Sequence, residues 1–137
     1  MYLDDKTDAV IAALKSADAL SDCKIIKAFP FVRKPTFIGK SVIAVSPYSV
    51  DVENIAVGQE CCFGNYSIEA EIFSPQELGT PGIAGTVEKM MGAIMSLEPK
   101  GIKAYPIDID ANLRCYTAKC VLTFNGEISF GGENDGI

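Results

Sequence analysis

The chain has 137 residues, of which 48% are hydrophobic and 22% charged, and its formal net charge is −6. This composition is typical of a globular protein, and the length suits one domain with its own core. The acidic balance argues against a protein that binds duplex nucleic acid, which requires clustered lysine and arginine. No stretch reaches the roughly 20 apolar residues of a membrane span, and acidic residues replace the basic start of a secretory signal. We therefore expect a cytoplasmic protein.

The first predicted elements are a helix and two strands. Three apolar residues recur at helical spacing near the start of the chain: Val10, Ile11 and Leu14. This spacing predicts an amphipathic helix from about Asp5 to Ala19. The segment Lys24–Phe29 is predicted to be a strand, and so is the β-branched segment Ser41–Ser46.

The passage Phe29–Lys40 between these strands combines apolar and basic side chains with two prolines. Because proline has no N–H to donate, neither Pro30 nor Pro35 suits a central strand. Apolar side chains in a non-regular segment either fold over their own core or contact a partner, and both alternatives are open here. We interpret five residues of the passage as candidate interface contacts: Phe31, Arg33, Lys34, Phe37 and Ile38.

A half-buried strand is predicted within residues 65–74. Four apolar residues alternate there with polar ones: Tyr66, Ile68, Ala70 and Ile72. Alternation of period two places them on one face of the strand and leaves Ser67, Glu69 and Glu71 on the other. Glu69 and Glu71 are therefore candidate partners for Arg33 and Lys34 across a subunit boundary, with a solvated acidic face as the simpler interpretation.

A second helix and a hairpin are predicted to complete the fold. The helix extends over about Ile83–Leu97, after a break in which Thr80 is the expected N-cap. Its apolar stripe consists of Ile83, Val87, Met90, Met91 and Ile94. The segments Ile102–Asp110 and Arg114–Phe124 are predicted to pair as a hairpin through a turn near Asp110.

These elements predict an α+β fold, in which a mostly antiparallel β-sheet with a C-terminal β-hairpin is backed by two α-helices. Residues 1–125 are expected to form a single domain. Residues 126–137 are rich in glycine and acidic residues, and this composition predicts a mobile acidic tail.

The sequence does not contain a recognisable catalytic set. The absence of histidine removes the Ser-His and Cys-His pairs and the most frequent zinc ligand. Gly39-Lys40-Ser41 resembles the end of a phosphate-binding loop, but Lys34 occupies the position of the first glycine, and a strand-like segment follows where a helix is needed. We therefore expect a protein that is not an enzyme and has no cofactor.

No metal site or disulfide is expected either. Cys61 and Cys62 are adjacent, and Cys115 and Cys120 are five apart in a predicted strand, so the members of each pair point to opposite faces. Asp108 and Asp110 share a face, but two carboxylates do not complete the oxygen shell of Ca²⁺ or Mg²⁺. A solvated acidic turn is the favoured interpretation of these two residues.

The order of these elements resembles that of the phage tail terminator and tail-completion proteins, which also occur in prophage-derived contractile particles (tailocins). The resemblance covers about Asp4–Phe124. It rests on the passages FPFVRKPTFIGK, SVIAVSP and NYSIEAEIFSP, followed by the break, the second helix and the hairpin. Such proteins form a ring, usually a hexamer, that caps the head-proximal end of the tail tube. The ring ends polymerisation of the tube and sheath and provides the head–tail joining surface.

The resemblance implies a homo-oligomeric ring that contacts the tail tube and the tail sheath, without sequence-specific nucleic acid or membrane binding. It also implies a protein that is found in the bacterial cytoplasm during assembly and then in a virion or tailocin tail. Two alternatives remain open: another tail or head–tail connector subunit, and a stand-alone small-molecule-binding α+β domain.

Overall fold

The computed structural model describes residues 2–27, 39–52 and 61–129. The helices and strands are, in chain order, α1 (Tyr2–Ser16), β1 (Lys24–Lys27), β2 (Val42–Val52), β3 (Cys61–Pro75), α2 (Gly79–Ile94), β4 (Gly101–Ala104), β5 (Asp108–Asp110) and β6 (Cys115–Ser129). Single 3₁₀ turns occupy Asp18–Leu20, Gln76–Leu78 and Met95–Leu97. Within the described ranges, neither α1 nor α2 has the length and apolar character needed to cross a bilayer.

The strands form one six-stranded sheet in the order β1-β2-β3-β6-β4, and β5 pairs with β6 beyond the end of β4. The β1–β2 pair is parallel and every other pair is antiparallel. The longest ladder joins β3 to β6, with Cys61 opposite Ser129 at one end and Pro75 opposite Cys115 at the other. These observations confirm the predicted α+β fold with a mostly antiparallel sheet and a closing hairpin.

One face of the sheet packs against both helices and forms the main core. The predicted alternation in β3 is confirmed, because four residues of that strand point into this core: Tyr66, Ile68, Ala70 and Ile72. Three residues of α1 are buried against it, as predicted: Val10, Ile11 and Leu14. From α2, Ile83, Met90 and Ile94 are fully buried, while Val87 and Met91 are partly buried at the margin.

The helix limits differ from the predicted ones by a few residues. Helix α1 lies three residues earlier than expected, and a 3₁₀ turn follows it. Helix α2 begins at Gly79, so the predicted cap Thr80 lies within its first turn. Gly79 has a φ of 69°, a left-handed value that glycine adopts without steric cost, and this residue turns the chain into the helix. The predicted end at Leu97 lies in a 3₁₀ turn.

The C-terminal part of the sheet is longer and less regular than predicted. Strand β6 continues to Ser129, so residues 126–129 of the predicted tail pair with β3, while residues 130–137 lie outside the described part of the chain. The first predicted strand of the hairpin is divided into β4 and β5. Ala104 lies opposite Cys120 and Asp108 lies opposite Thr117, so this edge carries one extra residue, a bulge that contains Pro106.

The turn between β5 and β6 is held by Asp110, as its composition predicts. The carboxylate oxygen Oδ1 of Asp110 accepts hydrogen bonds from the backbone N–H groups of Asn112 and Leu113, each at 3.1 Å. Asp108 accepts a hydrogen bond from the N–H of Ile109 at 2.8 Å. These carboxylates therefore satisfy local backbone donors in the hairpin.

Two lysines connect α1 to the sheet. The Nζ atom of Lys27, at the end of β1, lies 2.7 Å from Oδ1 of Asp4 and 3.0 Å from Oδ1 of Asp8. These hydrogen bonds raise the pKa of Lys27. Lys6 lies over the ring of Phe124, with its Nζ atom 4.8 Å from the ring centroid. These contacts fix the N-terminal half of α1 on the sheet, and the burial of its apolar stripe supplies most of the attachment.

Replacing Ile94 with aspartate tests the packing of α2. Ile94 is 0% exposed in the core between α2 and the sheet. The variant Ile94→Asp buries an unpaired carboxylate, and we expect it to lower the free energy of unfolding by about 3 kcal/mol or more. Urea unfolding followed by circular dichroism measures this change.

The neighbouring Met95 provides a matched control because it is 59% exposed. The variant Met95→Asp is expected to change the stability by no more than about 0.5 kcal/mol. If Ile94→Asp unfolds at the same urea concentration as the parent, α2 does not pack as described.

Candidate functional site

The predicted interface residues fall in two places. The five in the proline-interrupted passage (Phe31, Arg33, Lys34, Phe37 and Ile38) lie outside the described residues, so their role remains a prediction. Glu69 and Glu71 lie in β3 and point away from the two helices, as the alternation predicts. The face that carries them is called here the helix-free face of the sheet.

The centre of the helix-free face is polar but largely covered. Ser46 of β2 lies directly opposite Glu69 and is only 4% exposed. Ser67 lies opposite Thr123 of β6, and their hydroxyl oxygens are 3.3 Å apart in a hydrogen bond. A hydroxyl residue therefore lies beside Glu69, whereas Ala44 and Lys119 lie opposite Glu71.

Glu69 is a largely buried carboxylate on this face. Its side chain is 12% exposed, and its Oε1 atom lies 4.0 Å from the Nζ atom of Lys119 in β6. Burial raises the pKa of Glu69, the positive charge of Lys119 opposes the rise, and the negative charge of Glu71 adds to it. Because the ion pair is long and Lys119 is half-exposed, it offsets only part of the desolvation cost.

The same face becomes apolar towards the β5–β6 turn. A second, smaller cluster lies there and comprises Val42, Ala44, Phe73, Leu113 and Cys115. Cys115 belongs to this cluster, whereas Cys120 belongs to the main core on the other side of the sheet. The prediction that these cysteines point to opposite faces is therefore confirmed. Cys61 and Cys62 lie in β3, but their side chains are outside the described part of the structure.

Exposed apolar side chains are concentrated at the two edges of the sheet. The large hydrophobic residues that are exposed in the described ranges are Tyr48, Val50, Leu78, Met95, Tyr105, Ile107 and Ile109. The first two lie in the part of β2 beyond β1, and the last three lie along the β4–β5 edge. Five of the seven therefore lie on opposite edges of one sheet.

The sequence does not identify these edges as candidate surfaces. The predicted strand Ser41–Ser46 ends before Tyr48, where only a short extension over Tyr48–Val57 is suggested, and Ile107 lies within the predicted hairpin strand Ile102–Asp110. A usable signal was present, because Pro47 and Pro106 each interrupt a strand-like segment, and proline within a sheet is typical of edge strands and bulges. The pairing of β2 shifts register between Pro47 and Ser49, which leaves Tyr48 as the extra residue of a bulge.

A shallow cleft lies beside the start of β2. Its volume is about 380 Å³, and its lining includes Asp22, Lys40, Ser41 and Glu77. Strand β2 follows Ser41 directly, which confirms that the Gly39-Lys40-Ser41 sequence does not open a helix. Over the described residues, no three Cys, Asp or Glu side chains are grouped to hold a metal ion.

Changing Glu69 to glutamine tests the desolvation of this carboxylate. The pKa of Glu69 is raised in the folded state, so the folded protein binds this proton more tightly than the unfolded chain does. The stability therefore falls as the pH rises from the pKa of Glu69 in the unfolded chain through its higher pKa in the folded protein. Glu69→Gln removes this loss. We expect the variant to gain stability relative to the parent between pH 4 and pH 7, measured by urea unfolding.

The variant Lys119→Met tests the same carboxylate by a change that should have the opposite effect on stability. Removing the cation that favours ionised Glu69 should raise the pKa of Glu69 further and increase the loss of stability towards neutral pH. An unchanged pH dependence in both variants would show that Glu69 is hydrated in the folded protein.

The comparisons with known proteins are negative. No protein-family model matches the chain, and no curated protein matches it either.

Proposed function

We propose that the chain is a non-catalytic structural subunit that forms a ring, usually hexameric in this class, on the head-proximal end of a phage-type tail tube. The ring ends polymerisation of the tube and sheath and provides the surface for joining the head. It assembles from subunits made in the bacterial cytoplasm, in a virion or a tailocin tail.

The observation that supports this proposal most strongly is the distribution of packing on the sheet. Both helices pack on one face, whereas five large apolar side chains remain exposed on its two edges. A ring requires two different surfaces on each subunit, because each subunit contacts one neighbour on either side. Opposite edges of one sheet meet that requirement.

The charge distribution gives a second line of support. Glu69 is only 12% exposed, and among the described residues its cation partner is Lys119, at 4.0 Å. A basic pair from a neighbouring subunit, for which Arg33 and Lys34 are the candidates, would compensate this carboxylate. Such pairing allows subunits with a net charge of −6 to associate despite their mutual repulsion.

The alternative of a stand-alone small-molecule-binding domain is favoured by one observation, the cleft beside Lys40 and Ser41. Its charged lining contains both a lysine and carboxylates, which suits a small polar ligand. A connector subunit elsewhere in the tail is the closer alternative, because it requires the same kind of assembly surfaces.

Tail morphology tests the proposed function directly. Removing the protein from a tail-producing strain that encodes it is expected to give tubes of unregulated length that do not join heads. Electron microscopy measures the tube lengths. Tubes of normal, uniform length that still join heads would overturn the proposal, and loss of a metabolic activity instead would favour the small-molecule alternative.

The double variant Arg33→Glu/Lys34→Glu tests the predicted basic contact. It is expected to fold normally and to lose assembly, because the exchange places like charges opposite Glu69 and Glu71. Sedimentation velocity at low and high salt measures this, and assembly of the parent should weaken as salt screens the attraction.

The matched control exchanges two exposed lysines on the helices, Lys15→Glu/Lys89→Glu, and so makes the same change in net charge. This control should assemble as the parent does. Normal assembly of the Arg33/Lys34 variant would instead indicate that the passage folds over its own core.

A further inference from the structure

We draw no further inference here: the strongest candidate, the apolar surface along the β4–β5 edge of the sheet, where Tyr105, Ile107 and Ile109 are exposed, carries none because nothing in the described part of the chain shows what covers it.

Discussion

The β3–β6 ladder is the interaction on which the rest of the structure depends. Both strands are 15 residues long and pair over their full length, from Cys61 with Ser129 to Pro75 with Cys115. Strand β2 is attached to one side of this ladder and β4 and β5 to the other. A shift of the ladder by one residue would exchange its two faces, moving the apolar set away from the helices and the glutamates into the core. The register of one strand pair therefore determines both the core and the composition of the helix-free face.

Local patterns predicted the faces of the elements well. The alternation around Ile68 and the helical spacing of Met90 and Ile94 identified the buried sides, because burial imposes the period of each element on the sequence. The helix limits were less accurate. The start of α2 depends on the positive φ of Gly79, which is a property of one residue and leaves no periodic signal.

The assembly of the sheet and its surfaces could not be predicted to the same extent. The parallel pairing of β1 with β2 joins two segments that are separated in the chain by the proline-interrupted passage, and local spacing carries no information about such a partner. The alternation placed Glu69 on the side opposite the helices but did not show that its side chain is only 12% exposed, since exposure depends on residues that are distant in the sequence. The exposed edges likewise could not be identified from the sequence, because they follow from the order of the strands in the sheet.

The two cysteines of β6 have a consequence for observing how the sheet opens. Cys115 and Cys120 are both fully buried, on opposite sides of the sheet, and burial raises the pKa of Cys120 to about 11. Thiol reagents attack the thiolate, so Cys120 reacts with an alkylating reagent at neutral pH only after the strand separates from α1 and α2. Cys115 reacts after the smaller cluster opens. The relative alkylation rates of these cysteines, read by peptide mass spectrometry, therefore report whether the two sides of the sheet open together or one before the other.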